Sequence, residues 1–264
     1  MHAEHANAIV VQNLVKRFRE RHQGYSLKGA LLGGARYRSR LSFLSALKEI
    51  SFTVPHGETL AIIGWNGSGK STLLSILARV YVPTTGEVHL YNPQGGEARL
   101  APLLALGAGF HPELNGLENI VFYGALLGLT RKQIEEKRDS IIAFAELEQK
   151  IDTVMHGWND GSKLRLGFSI AIHTDPDIVL VDEVLAVGDE AFQHKCFRKI
   201  AEMQGLGKTI VFVSHDLAVV ERVANRALWL NEGVIERDGE VQETLAAYRA
   251  AAAAKEEQAI AASA

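Results

Sequence analysis

Thr59-Leu60-Ala61-Ile62-Ile63-Gly64-Trp65-Asn66-Gly67-Ser68-Gly69-Lys70-Ser71-Thr72 decides the reading of this chain. Residues 59–63 form a short apolar run of the kind buried in a parallel sheet. They lead into a Gly-rich turn, and a helical stretch begins at about Lys70 and reaches Arg79. Gly64–Thr72 matches G-x-x-x-x-G-K-[ST] in the strand–turn–helix context that gives the pattern its meaning. Glycines let the backbone wrap so that successive N–H groups point at phosphate oxygens. The helix N-terminus adds its partial positive charge. In such a loop Lys70 reaches the β- and γ-phosphates of a nucleotide and Ser71 ligates Mg²⁺. The bland alternative is a strand–helix turn without a ligand, and the Lys-Ser-Thr ending argues against it.

Two stretches downstream carry chemistry that fits the loop. Ile178-Val179-Leu180-Val181-Asp182-Glu183 is a buried-strand pattern ending in two carboxylates. Ligands of open α/β sheets bind at the carboxyl edge of the strands. Alone, an acidic pair there is usually a helix N-cap. Together with the loop it reads as a nucleotide hydrolase, with Asp182 holding Mg²⁺ and Glu183 orienting or deprotonating the attacking water. Thr209-Ile210-Val211-Phe212-Val213-Ser214-His215-Asp216 is a second buried strand ending in a His. One strand–helix–strand unit separates His215 from Glu183, which predicts the same sheet edge and reach to a γ-phosphate. A hydrogen-bonded structural His is the alternative.

Outward from these motifs, Ile9–Leu14 and Leu47–Val54 read as strands, Ser26–Leu32 and Arg38–Leu47 as short helices, and Glu87–Tyr91 as a strand after the Pro83–Gly86 turn. Residues 112–173 have helical spacing of apolar positions and no strong strand signal, the pattern of an inserted helical subdomain. A helix from about Glu190 to Gln204 and a hairpin at Ala227–Leu230 and Val234–Arg237 complete the pass. The tail from Leu245 is Ala-rich and helix-prone.

The chain has 264 residues, 47% hydrophobic and 22% charged, with a formal charge of −3. Those values exclude a disordered chain. A single cysteine, Cys196, excludes an intramolecular disulfide. The longest apolar run, Leu100–Phe110, is interrupted by Pro102, Gly107 and Gly109 and is far shorter than the roughly 18 residues that read as a bilayer span. Met1–Ala8 lacks the apolar stretch of a signal peptide, so a cytoplasmic protein is expected. The average charge hides an asymmetry: residues 16–40 hold eight basic side chains against one acidic.

The residues quoted so far resemble the nucleotide-binding subunit of ATP-binding cassette (ABC) transporters over about residues 9–244. The resemblance implies an α/β fold, a P-loop NTPase core with an antiparallel β subdomain and an inserted helical subdomain. It implies one cassette over 1–244, with the helical subdomain at about 112–173, a basic insertion at about 19–46 and an Ala-rich tail at 245–264. Gly64–Thr72, Asp182 with Glu183, and His215 are then the phosphate loop, the Walker B acids and the switch histidine, and the cofactors are ATP and Mg²⁺. Phe18 fits the place of an adenine-stacking aromatic, with Tyr25 as the fallback and simple packing as the alternative for either.

Leu104–Ile120 and Asp175–Phe192 look like the branch that exports polysaccharides: O-antigen, capsule and teichoic acid. Asp189 takes the place of the D-loop aspartate. The resemblance implies a homodimer bound to two membrane-spanning permease subunits on the cytoplasmic face of the cytoplasmic membrane. Lipid-linked polysaccharide would pass through the permease, and nucleic acid is not expected as a partner. A glycan-reading domain is not expected after Leu245. The basic segment has three readings: a solvated loop, a nucleic-acid contact, or a contact with anionic headgroups or lipid-linked phosphate. The resemblance favours the third. The rival functions are a non-transport cassette ATPase acting on nucleic acid and an importer ATPase.

Two departures from the family pattern stand out. No Gln occurs between Gly95 and Lys132, where most cassettes have one that senses Mg²⁺ and the partner; Leu104–Phe110 is taken as its substitute. The signature Leu-Ser-Gly-Gly-Gln, or Tyr-Ser-Ser-Gly-Met in this branch, is Trp158-Asn159-Asp160-Gly161-Ser162 here. Asn159, Gly161 and Ser162 would face the γ-phosphate held by the opposite subunit. Asn159 can donate through its amide, but Asp160 adds a negative charge unless it points away. The hypothesis is slower or weaker closure than at a serine-bearing site. Asn159→Ser with Asp160→Ser is expected to raise ATPase turnover, and unchanged turnover would remove the idea.

Overall fold

A computed structural model describes residues 6–20, 42–104, 106–107, 109–182 and 189–263. The first strand, β1 (Asn7–Glu20), pairs antiparallel with β2 (Ser42–Pro55). Ile9 and Val11 point into the core as the alternation predicts, and a bulge at Asn13 brings Leu14 to the same face. The strand runs well past Leu14, because bulges with positive φ at Asn13 and Glu49 break the alternation without ending the ladder. The expected short helix at Arg38–Leu47 is corrected: Ser42 to Leu47 is strand, its backbone paired with residues 16–20 of β1. Residues 38–41, the expected helix at Ser26–Leu32, and Tyr25 lie outside the described residues.

After β3 (Thr59–Ile63) come α1 (Lys70–Leu77), β4 (Thr85–Leu90) and β5 (Leu100–Leu103). β4 completes a three-stranded antiparallel sheet in the order β2-β1-β4. The helical stretch follows as α2 (Gly116–Leu126), α3 (Arg131–Ala145), a 3-10 turn at Met155–Gly157 and α4 (Asp160–Ile172). Asn115 with Glu118, and Thr130 with Gln133, form capping boxes that start α2 and α3. Around them Ile120, Tyr123, Ile134, Ile141, Leu166 and Ile170 make a separate small core.

The chain then returns to the main sheet through β6 (Ile178–Val181), α5 (Glu190–Gly205), β7 (Thr209–Val213), α6 (Leu217–Val223), β8 (Arg226–Asn231) and β9 (Val234–Glu240). It ends in α7 (Val241–Ser263). The six-stranded sheet has the order β5-β6-β7-β3-β8-β9. All neighbours are parallel except β8 and β9, which form the expected hairpin. Every residue of β3, β6 and β7 is buried, as expected for strands covered on both faces. The apolar run after Leu100 supplies β5 as an edge strand. The start of the Ala-rich tail lies inside α7, where Leu245 is fully buried on the sheet side.

No helix among the described residues is long and apolar enough to cross a membrane. The helical insertion and the main sheet are joined by three rings. Phe168 of α4 stacks on Phe144 of α3, with centroids 6.0 Å apart, and meets Phe192 of α5 edge-on at 6.2 Å. Phe168 and Phe192 are both 1% exposed. Phe168→Ala is expected to cost about 3–5 kcal/mol of stability, read from the urea midpoint.

Candidate functional site

Parallel pairing sets the site. Val181 of β6 is level with Phe212 of β7, and Val213 of β7 with Ile62 of β3. Asp182, the Ser214–His215 turn and the Gly64–Lys70 loop therefore leave the carboxyl ends of three neighbouring strands. Helices follow β3, β6 and β7 from this edge, because each of these strands is linked to the next parallel strand by a crossover back to the other end.

The loop takes its shape from glycines where nothing else fits. Gly64 has a φ of +148°, and a Cβ on it would lie 2.1 Å from the Leu230 carbonyl oxygen. Gly69 has a φ of +108°, and its Cβ would lie 2.6 Å from the Ala46 carbonyl. The Gly233 N–H also donates to the Ser68 carbonyl at 2.9 Å, so the hairpin turn after β8 grips the loop from one side. Gly69 caps α1 in the left-handed conformation with no side-chain cap. The first N–H groups of α1 are thus left facing the cradle, which suits an anion.

Within the cradle, Lys70 is buried and its Nζ donates to the Gly64 carbonyl at 2.7 Å and the Trp65 carbonyl at 3.1 Å. Ser68 Oγ is buried without a hydrogen-bond partner. A buried hydroxyl left unsatisfied is costly, and a phosphate oxygen in the cradle would relieve it. Asn66 and Gly67 are exposed at the loop's crest, Ser71 is exposed on the first turn of α1, and Thr72 is half-buried. The Trp65 ring leaves the loop toward Trp229 and Tyr248.

Asp182 is half-buried one residue beyond β6, and His215 is exposed two residues beyond β7. The turn carrying His215 is fixed by Asp216, whose carboxylate accepts from the Ala218 N–H at 2.9 Å and whose own N–H donates to Ser214 Oγ at 3.0 Å. Glu183 and residues 184–188 lie outside the described residues. Among the described residues no group of three or more His, Cys, Asp or Glu could hold a metal ion by itself. The donors that remain, the Ser71 hydroxyl and the Asp182 carboxylate, suit Mg²⁺, which binds through one or two carboxylates together with substrate phosphates.

The Trp158–Ser162 segment, read from the sequence as a divergent signature, starts α4. Asn159 is its N-cap, accepting from the Ser162 N–H at 2.8 Å. That bond uses the amide oxygen and leaves its NH₂ for other partners. The Asp160 side chain is 95% exposed and turns toward Lys163. Gly161 carries no side chain into the segment, and Lys150, absent from the motif reading, donates to Ser162 Oγ at 3.0 Å. Lys150 comes from the loop after α3, so no local spacing points to it.

Asp189 caps α5 through the Phe192 N–H at 3.0 Å and pairs with Arg165 of α4. The Phe192 amide and the Arg165 guanidinium hold its carboxyl below the usual carboxylate range. Arg165 also reaches Glu146 at 2.9 Å, tying the signature helix to both α3 and α5. Phe18 is half-buried, edge-on to Tyr81 at 5.4 Å, with Lys16 Nζ 5.0 Å from its ring. Neither partner belongs to the loop.

The ABC transporter family profile matches residues 47–186. The O-antigen export system ATP-binding protein RfbB of Myxococcus xanthus is 42% identical over 261 residues, which are 97% of this chain and 58% of that protein. RfbB of Klebsiella pneumoniae is 43% identical over 208 residues, 79% of this chain and 82% of that protein. The teichoic acids export ATP-binding protein TagH of Bacillus cereus is 39% identical over 208 residues, 79% of this chain and 37% of that protein. The chain thus spans little more than half the length of the Myxococcus relative. Among solved structures, an ATP-binding cassette in a dimeric post-hydrolysis state bound to ADP and Pi has a TM-score of 0.68 at 21% identity, covering 88% of this chain and 98% of its own. The ATP-binding subunit of an ABC transporter has a TM-score of 0.69 at 20% identity, covering 89% and 91%. These two establish the fold.

The crowding at Gly64 yields a test that needs no nucleotide. Gly64→Ala pushes the loop off the Leu230 carbonyl and is expected to lower stability by about 1–3 kcal/mol in urea unfolding, the usual cost of overpacking.

Proposed function

This chain belongs to the ABC transporter family, and from that premise we propose that it is the ATP-hydrolysing subunit of an exporter of lipid-linked polysaccharide. One observation carries the ATPase reading: the Gly64–Lys70 loop, Asp182 and the His215 turn leave the carboxyl ends of adjacent parallel strands. The polysaccharide reading is supported by the two RfbB relatives and TagH, all named for export of such polymers.

In this reading the loop N–H groups, Ser68 Oγ and the N-terminus of α1 hold the triphosphate of ATP. Lys70 gives up the Gly64 and Trp65 carbonyls to reach the β- and γ-phosphates. Ser71 and Asp182 hold Mg²⁺, which supplies charge neutralisation between the phosphates when bound. Glu183 orients and deprotonates the attacking water, and His215 contacts the γ-phosphate. Phe18 stacks on adenine, an assignment that requires its ring to leave or share its contact with Tyr81.

Asn159, Gly161 and Ser162 complete the site of a second copy. They lie at a helix N-terminus, where N–H groups point at an anion, while Asp160 turns outward. The working form is a homodimer on two membrane-spanning permease subunits at the cytoplasmic face of the membrane, closing on ATP and parting after hydrolysis. Asp189, in the place of the D-loop aspartate, is held by Arg165 of the helix that carries the signature segment.

The divergent signature and the absent Gln do not match the regular importer pattern. Lys70→Ala is expected to lower ATP turnover about 100-fold or more, in line with loss of one charged donor to the reacting phosphate. In cells, gene deletion should leave lipid-linked glycan on the cytoplasmic side. Unaffected surface glycan with intact ATPase activity would overturn export alone, and co-purifying nucleic acid would point to the rival class.

A further inference from the structure

Trp65 occupies a position that the phosphate-loop pattern leaves free. Its backbone is inside the cradle: the carbonyl accepts from Lys70 Nζ and from the Ser68 N–H, each at 3.1 Å. Its indole points the other way, into an aromatic cluster. The Trp65 centroid is 5.6 Å from that of Trp229 on β8, at 82°, and 5.5 Å from that of Tyr248 on α7, at 34°. Trp229 and Tyr248 also meet, at 5.6 Å and 85°, so each ring touches the other two. Lys255 Nζ lies 4.5 Å from the Trp65 centroid.

Spacing explains how one helix supplies these contacts. Val241, Leu245, Tyr248 and Lys255 recur at three, four and seven residues, one face of a helix. Val241 and Leu245 are buried and seat the helix on the core. Tyr248 and Lys255 continue the same face past β8 to the loop. The alanines between them keep the helix formed.

We propose that α7 is a positioning strut for the phosphate loop, with Tyr248 and Lys255 acting on ATP binding through the Trp65 indole. The proposal rests on the reading of Gly64–Thr72 as an ATP site. The loop contains three glycines at positive φ, at 64, 67 and 69, so its own backbone permits many shapes. An indole held by two rings and a cation selects one of them before the phosphate arrives, and such preorganisation raises affinity. The need is greatest when ATP is bound. Lys70 then leaves the Gly64 and Trp65 carbonyls, and residue 65 is left with the Ser68 N–H on its carbonyl and the side-chain anchor. By linkage, whatever loosens α7 weakens ATP, and ATP tightens α7.

Titration of the full chain with a fluorescent N-methylanthraniloyl ATP, with Mg²⁺, tests this. Tyr248→Ala is expected to raise Kd about five- to tenfold, as expected for losing a ring pair, while Tyr248→Phe stays within about twofold. Lys255→Ala is expected to raise Kd about two- to threefold, with Lys255→Arg restoring it. In steady-state hydrolysis the two alanine variants should raise KM more than they lower kcat. A lower melting temperature with Kd unchanged makes Tyr248 merely structural and overturns the strut. Should Tyr248→Ala fail to fold, the exposed Lys255 pair decides by the same criterion. A wild-type chain that does not bind the nucleotide overturns the ATP reading and the strut with it. Wild-type binding matched by every variant overturns the strut alone.

Discussion

Parallel pairing of β6, β7 and β3 is the constraint on which everything else depends. A parallel ladder puts all the carboxyl ends on one edge, and the crossovers must then begin there. That requirement gathers Asp182, His215 and the Gly64–Lys70 loop, which are far apart in the chain. It also places the hairpin turn after β8 beside the loop, where the Leu230 carbonyl leaves no space for a side chain at residue 64. The shape of the loop is thus enforced from outside the loop as much as by its own glycines.

The helical insertion has a core of its own and meets the sheet through a small set of contacts. Phe144, Phe168 and Phe192 pack together across α3, α4 and α5. Beside them Glu146 takes both Arg165 and Lys195, and Arg165 continues to Asp189. Ion pairs this exposed contribute little to stability one by one. The rings hold the two parts together, and the charges fix the direction of α4, whose N-terminus carries Asn159 and Ser162. A signature segment that departs from the family pattern at most positions therefore still begins a capped, oriented helix.

Most of the architecture was legible because burial on both faces leaves a plain mark. The strands at 59–63, 178–181 and 209–213 read directly from uninterrupted apolar runs, and the helical insertion from apolar spacing near 3.6. The errors share a cause. β1 and β2 extend beyond their apolar stretches, into Lys16–Arg19 and Ser42–Leu44, because cross-strand hydrogen bonds continue where one face is wet. Residues such as Lys150 and Arg165 gained partners from other elements, which no local spacing announces. Phe18 fits its motif position but spends its described ring contacts on Tyr81 and Lys16.

The sequence by itself determined the chemistry. A Gly-rich loop with Lys70 and Ser71, and buried strands ending in Asp182 and His215, state what can be bound, because those residue types have few other reasons to occur in that pattern. Tertiary structure decided what holds that chemistry in shape. The Leu230 carbonyl over Gly64, the Gly233 N–H on Ser68 and the Trp229–Tyr248–Lys255 seat of Trp65 come from β8, the following turn and α7, over 150 residues downstream. The reason is that a flexible loop carries its ligand-binding groups in local sequence, whereas its rigidity depends on neighbours that only folding brings near.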